Sequence, residues 1–392
     1  MRIKSVAVAT ALFAAVALAG AAQAQSVRGV TKSEILIGMH TDLSGVAASY
    51  GVSSSNAMRL EFEKVNAAGG IHGRKIRLIV EDHQYQVPRA VQAANKLINR
   101  DKIFIMAAAL GTPMNNAVFA EQFKAGIPNI NPVTAARSMV EPHHPLKFQT
   151  ISSYYDHTRA SIKYVMEKNG RKKLCTLYQD TDFGMEIFEA VKDQAKAMNI
   201  PVVETATNKP ADSDFSAQIT KLRAAGCDVV ALGAIVRDAI LSYGTARKMG
   251  WTDVDFVSQS ASFDQIVASA PGGATEGLYV GAGTVMPYRD TADATVAAWW
   301  DAYKAKYGND PNIGAVYGTN TAQLIVTALN KAGKDLTTEG FLKALEGITG
   351  YRDIFGGPVI NFGPQKHLGT NEVLLYHIQK GRFVQIAGPL KY

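Results

Sequence analysis

The sequence predicts an α/β protein of two doubly wound parallel-sheet lobes, joined by a hinge that the chain crosses more than once. Three observations lead there. The chain has 392 residues, 47% hydrophobic and 19% charged, which is the apolar content of a folded protein rather than a disordered one. It is also too long for one core, since single cores stop growing at roughly 250–300 residues. Finally, strand-like apolar runs alternate with helical periodicity through residues 35–281, in two successive blocks. Short connections between such elements imply parallel pairing, with helices on both faces of each sheet.

In the first block, EILIGM (34–39) reads as a strand and VSSSNAMRLEFEKVNAA (52–68) as a helix stopped by Gly69-Gly70. KIRLIVED (75–82) is a strand, and VPRAVQAANKLINR (87–100) is a helix with apolar residues three and four apart. IFIMAA (103–108) is a strand, a helix runs from about Pro113 to Ala125, and IPNINP (127–132) closes the block. The second block repeats the order. Helices are predicted at 155–168, 184–198, 214–225 and 237–249, and strands at 173–179, 201–205, 228–233 and 254–258. The remainder breaks the alternation. It gives helices near 291–306, 314–332 and 338–346, then strands near 358–361, 371–379 and 382–387. A third domain with so few strands would be poorly cored, so these elements are expected to complete the first two lobes. The expected division is residues 27–149 plus 284–357 in lobe I, and 150–283 plus 358–392 in lobe II. A few loop residues at the crossings would then absorb a rotation of the lobes.

Residues 1–24 carry the pattern of a secretory signal peptide. Arg2 and Lys4 precede a small-residue apolar run, Val6 to Ala19, and Ala22-Gln23-Ala24 supplies the cleavage site. The run is too short and Ala-rich for a membrane span, which needs about 20 apolar residues. No Cys near Ala24 offers a lipid anchor. Cleavage after Ala24 and a periplasmic location are therefore expected. The full chain has a net charge of +7 with its basic residues dispersed, the longest run being Arg171-Lys172-Lys173. No aromatic residues interleave with a basic stripe, so no nucleic-acid partner is expected. The two cysteines, Cys175 and Cys227, each stand at the start of an apolar strand. Neighbouring parallel strands seldom offer disulfide geometry, so both are expected as buried free thiols.

Signatures of catalysis are missing. No GxGxxG follows a strand, and GxxxxGK[ST], GxSxG and HExxH do not occur. Asp182-Phe183-Gly184 spells a kinase triplet without the HRD loop that should precede it. His143-His144 lies in a Pro-flanked loop without a carboxylate or Cys at ligand spacing, so it reads as surface. No enzyme activity, cofactor or metal ion is expected. The positive signal is of another kind. In open α/β sheets, ligands sit beyond the carboxyl ends of strands, where helix N-termini point. Three such ends are rich in glycine and hydroxyl groups: Asp42-Leu43-Ser44-Gly45, Leu110-Gly111-Thr112-Pro113 and Pro132-Val133-Thr134-Ala135. Backbone N–H groups and hydroxyls at a helix start bind an anion without a charged partner, which describes a carboxylate receptor.

Several stretches carry a resemblance. They are Ile37-Gly38, Leu43-Ser44-Gly45, the block Val65-Asn66-Ala67-Ala68-Gly69-Gly70-Ile71-His72-Gly73-Arg74-Lys75-Ile76, Ala125-Gly126-Ile127-Pro128, and Tyr178-Gln179-Asp180-Thr181-Asp182-Phe183-Gly184. Through essentially the whole mature sequence the chain resembles the Leu/Ile/Val-binding type of periplasmic solute-binding protein, the receptor of a branched-chain amino acid ABC importer. The resemblance implies a type I periplasmic-binding fold, a monomer that closes two lobes on a small carboxylate, and an inner-membrane ABC permease as partner. A sensory receptor presenting the same cleft to a signalling partner is the alternative. Thr112, Val133, Thr134 and Ala135 match the groups that hold the ligand carboxylate. Tyr50 matches an aromatic cover from the first lobe, and Phe183 an aromatic residue from the second. Two positions depart from the family. Ser260 stands where amino-acid binders carry an acid for the ligand ammonium, and Ile235 replaces an aromatic residue. The ligand is thus a hydrophobic amino acid or an aromatic or aliphatic acid. Unless Asp42, Asp238 or Asp264 reaches the cleft, a ligand without an α-ammonium group is expected, because a desolvated ammonium needs a charged partner.

Overall fold

A computed structural model describes residues 27–392. The signal peptide expected at residues 1–24 lies outside the described residues. The first block folds as β1 (Glu34–Thr41), α1 (Ala48–Ala67), β2 (Lys75–Asp82), α2 (Val87–Asn95), β3 (Ile105–Ala107), α3 (Thr112–Lys124), β4 (Asn129–Ile130) and β5 (Lys147–Phe148). The second adds α4 (Tyr154–Asn169), β6 (Leu174–Gln179), α5 (Asp182–Ala197), β7 (Val202–Asn208), α6 (Ser216–Ala224), β8 (Val229–Gly233), α7 (Val236–Lys248), β9 (Asp255–Ser258), α8 (Gln265–Ala268) and β10 (Tyr279–Ala282). The chain ends with α9 (Ala294–Tyr307), α10 (Ile313–Ala332), α11 (Thr338–Glu346), β11 (Val373–Gln379) and β12 (Arg382–Leu390).

Two sheets result. The first has the order β2-β1-β3-β4-β5 and is wholly parallel. The second has the order β12-β11-β10-β9-β8-β6-β7, parallel except for its last two strands, which add antiparallel beyond β10. Each parallel sheet is cored on both faces, as doubly wound winding requires. The strand order reverses at β1/β3 in the first lobe and at β6/β8 in the second. Such reversals open a crevice beyond the strand ends.

Residues of α10 and α11 share a core with β1 and β3. Along α1 and α10, small residues let the two backbones meet. A Cβ on Gly318 would lie 2.2 Å from the Ser54 carbonyl oxygen, so only glycine permits this approach. Two expectations about the tail change. The strand expected near 358–361 is reduced to a single bridge between Tyr351 and Ile360. Ile360 and Phe362 also pack into the core of the first lobe, beside Phe148 and Ile348. The return to the second sheet comes only after Gly369, whose N–H donates to the Gln149 carbonyl.

The cysteines correct the sequence reading. Cys175 and Cys227 form a disulfide, with Cα atoms 5.8 Å apart. In the β6–β8 ladder Cys175 faces Val230, so Cys227 is not its strand neighbour. Cys227 lies ahead of β8, just after the Ala225-Gly226 turn, and approaches the first residues of β6 from a loop. The geometric objection to a bridge between paired parallel strands therefore does not apply.

Candidate ligand site

The two crevices face each other and enclose one cavity. Tyr50, Thr112, Val133, Thr134, Ala135, Phe183, Ile235 and Ser260, the residues singled out in the sequence, all line it. So do Tyr85, Gln149, Tyr154 and Tyr317, for which the sequence offers no local signal. Tyr317 lies in an apolar helix and Tyr154 follows a helix cap. Only the meeting of distant segments turns their rings inward.

On the first lobe, β3 runs into Gly111, whose φ of +97° turns the chain into α3. Asn115 holds that turn by donating to the carbonyls of Ala109 (3.0 Å) and Gly111 (2.8 Å). The loop after β4 is fixed by Gln149, which donates to the carbonyls of Pro132 (3.1 Å) and Thr134 (2.7 Å). These supports bring the Thr112 and Thr134 hydroxyls within 2.7 Å of each other, both buried. The backbone N–H groups of Thr112 and Ala135 meet no backbone acceptor among the described residues. Thr112 opens a thirteen-residue helix, so its N–H carries the positive end of the helix dipole. The Tyr154 phenol stands beside the Thr134 hydroxyl and the Ala135 N–H, and burial pushes its pKa up to about 12. It therefore stays a neutral donor. Together these groups form a nest of donors without a cation.

The third hydroxyl-rich loop behaves differently. The Asp42 carboxylate already accepts from the N–H groups of Ser44, Gly45 and Ala47, at 3.2, 2.5 and 2.8 Å. Asp82 accepts from the Leu43 N–H (2.9 Å) and the Ser44 hydroxyl (2.7 Å). The protein's own acids fill this helix start, and only its far end, at Ala47 and Tyr50, reaches the cavity.

The second lobe supplies a mainly apolar wall. Phe183 enters at the start of α5 and meets the Tyr154 ring edge-on, centroids 5.1 Å apart. Ile235 and Val236 begin α7, and Ser260 follows β9. Tyr50 stacks on Tyr317 at 6.2 Å, and its hydroxyl donates to the Ser260 carbonyl at 3.0 Å, a direct contact between the lobes. Among the described residues, no Asp, Glu, Lys, Arg or His lines the cavity. The three aspartates that might have reached it are engaged elsewhere. Asp42 caps its own loop, as above. Asp238 is held by Arg237 (2.9 Å), Asn208 (3.2 Å) and Gln179 (3.4 Å). Asp264 accepts from the Ile266 N–H (3.0 Å) and the Asn312 amide (3.2 Å). Among the described residues no cluster of His, Cys, Asp or Glu could hold a metal ion, and His143 is exposed.

The sequence profile of the periplasmic binding protein family matches residues 34–382. The chain belongs to that family. A curated relative is the leucine-, isoleucine-, valine-, threonine- and alanine-binding protein of Pseudomonas aeruginosa, 25% identical over 82% of this chain and 84% of its own length. The Leu/Ile/Val-binding protein of Escherichia coli is 25% identical over 77% of this chain and 81% of its own. Among solved structures, a fatty acid ABC transporter substrate-binding protein from Thermomonospora curvata superimposes with a TM-score of 0.83 at 26% identity, covering 92% of this chain and 93% of that one. These relatives are solute-binding receptors, not enzymes. The family places the protein among periplasmic binding proteins that take small solutes, and agrees with the type I two-lobed fold.

Proposed function

We propose that this protein is the solute receptor of an ABC importer and closes its two lobes on a small carboxylate. The observation that carries the reading is the donor nest of Thr112, Thr134, Tyr154 and the backbone N–H groups of Thr112 and Ala135, set in a cavity walled mainly by apolar and aromatic side chains. Such a site neutralises one anionic group by hydrogen bonds and leaves the rest of the ligand to apolar contact. The relatives named above are described as receptors for amino acids and for a fatty acid, ligands whose common feature is the carboxylate. Export by a signal peptide cleaved after Ala24, and docking on an inner-membrane permease, complete the proposal.

A thermal-shift screen of the mature protein tests it. A ligand at 100 times its dissociation constant adds about 2.7 kcal/mol of stability. Hydrophobic carboxylates should raise the unfolding midpoint, and their primary amides should not. Equal shifts for acid and amide would remove the anion site.

A further inference from the structure

We propose that His83, which lies outside the cavity lining, is the positioning residue of the ligand site: its ring ties the loop after β2 to the loop after β3 and holds the Tyr85 ring at the edge of the donor nest. The inference rests on the carboxylate reading above and adds what keeps that site in shape. Tyr85 and Leu110 line the cavity, whereas His83 is fully buried behind them. Both nitrogens of its ring are engaged. Nδ1 accepts from the Tyr85 N–H at 3.0 Å, and Nε2 stands 3.2 Å from the Leu110 carbonyl oxygen. A carbonyl can only accept, so the proton sits on Nε2 and the ring is the neutral Nε2–H tautomer. Burial holds its pKa below the ordinary histidine value, even with Asp42 and Asp82 close by. A charged ring would turn an N–H toward the Tyr85 N–H, so the clamp works only when neutral.

The backbone shows what the clamp holds. Gln84 and Tyr85 have φ of +52° and +55°, a left-handed pair that glycine adopts freely and a bulky side chain does not. Such backbone persists where its surroundings over-determine it, and it concentrates at ligand clamps. Here Asp82 accepts from the Gln84 N–H at 3.0 Å, and His83 from the Tyr85 N–H. The turn carries the Tyr85 ring onto the next strand end, where a Cβ on Gly111 would lie 3.5 Å from Tyr85 Cε2. Gly111 leads directly into Thr112 of the nest. Leu110 donates its N–H to the His40 carbonyl at 3.1 Å and is pinned at its own carbonyl by His83. All of these groups follow strands of the first sheet, so the clamp needs no contact from the second lobe.

Calorimetry with leucine, 4-methylpentanoate, octanoate and benzoate tests the inference, the tightest binder of the four then serving as probe for the variants. Tyr85→Ala should weaken binding about tenfold or more, as loss of a buried ring from a binding site does, and His83→Ala should do nearly the same. The double variant should bind no worse than Tyr85→Ala alone, because His83 acts through that ring. His83→Asn, whose amide oxygen stands where Nδ1 did, should recover most of the affinity that His83→Ala loses. His83→Gln, whose amide nitrogen reaches only toward Leu110, should not. Nitrogen NMR of the unaltered, ligand-free protein should show the His83 ring with a bare Nδ1 and a protonated Nε2, a reading that stands even where a variant fails to fold. Losses that add in full in the double variant, equal affinities in His83→Asn and His83→Gln, or the opposite tautomer would overturn the inference and leave the carboxylate site standing. So would a lowered melting midpoint in His83→Ala with affinity unchanged. Binding of none of the four carboxylates would instead remove the reading on which the inference rests, and the inference with it.

Discussion

Thr134 does three things with one side chain and its flanking backbone. Its hydroxyl meets Thr112, its carbonyl is held by Gln149, and the following N–H lies beside the Tyr154 phenol at the cavity wall. The residue is therefore both a fastener and a donor, and substitution separates the roles. Thr134→Val keeps shape and the carbonyl contact while removing the hydroxyl. A hydrogen bond to a charged acceptor is worth roughly 1.5–3 kcal/mol, so carboxylate affinity should fall about tenfold or more with little change in stability. Calorimetry beside a thermal melt reads both. A variant that melts early and binds normally would make Thr134 structural only. Phe183→Ala should likewise cost about 2 kcal/mol of affinity or more, because a buried ring at the centre of an interface contributes through its area. At this scale the sequence was legible where chemistry is local. Small hydroxyl residues after a strand announce a helix start, and Thr112 and Thr134 lie there. Tyr154 and Tyr317 were not legible, since an aromatic residue in an apolar helix looks the same whether it faces a core or a cavity.

Elements were legible when they were long. The helix expected at 338–346 and the strand expected at 75–82 are found with those bounds, because each carries its full period in its own residues. The short strands β4 and β5 at one side of the first sheet, two residues each, owe their form to their neighbours rather than to their own pattern. The disulfide shows a different limit. Counting cysteines placed both at strand starts, but the pairing depended on whether Cys227 lies in the ladder or ahead of it, a difference of two residues. Closing a loop across a sequence separation of 52 residues restricts the unfolded chain, and the chain-entropy relation gives about 4 kcal/mol. The double variant Cys175→Ala/Cys227→Ala should lose most of that in equilibrium denaturation and keep its ligand affinity. The bridge joins β6 to the turn before β8, at the amino ends of those strands, whereas the cavity lies beyond their carboxyl ends. A large loss of affinity at constant stability would show that the bridge shapes the site.

At the scale of the whole molecule, two largely buried acids meet groups of the opposite lobe, so the closure proposed above would take them out of water. Asp264, in the loop after β9 of the second lobe, accepts a hydrogen bond from Asn312, which caps α10 of the first. Desolvation pushes its pKa up to about 6. Glu186, on α5, accepts from the Arg137 backbone of the first lobe, and desolvation pushes it up to about 7. Both acids stand above the ordinary carboxylate value near 4 that they regain in water. Closure therefore takes up protons. Its stabilisation from these groups is fully present below about pH 4 and is lost as pH rises through 6 to 7, because desolvation outweighs even the Arg137 guanidinium 3.7 Å from Glu186. Under the proposed closure, ligand binding should strengthen severalfold between pH 8 and pH 5.5, a range in which a carboxylate ligand stays ionised. Asp264→Asn mimics the neutral carboxyl at every pH. It should bind at pH 8 more tightly than the unaltered protein and show a flatter profile, and Glu186→Gln should remove the remaining slope. Affinity that weakens on acidification, or a slope untouched by either variant, would mean that these carboxyls do not change their surroundings when the lobes close.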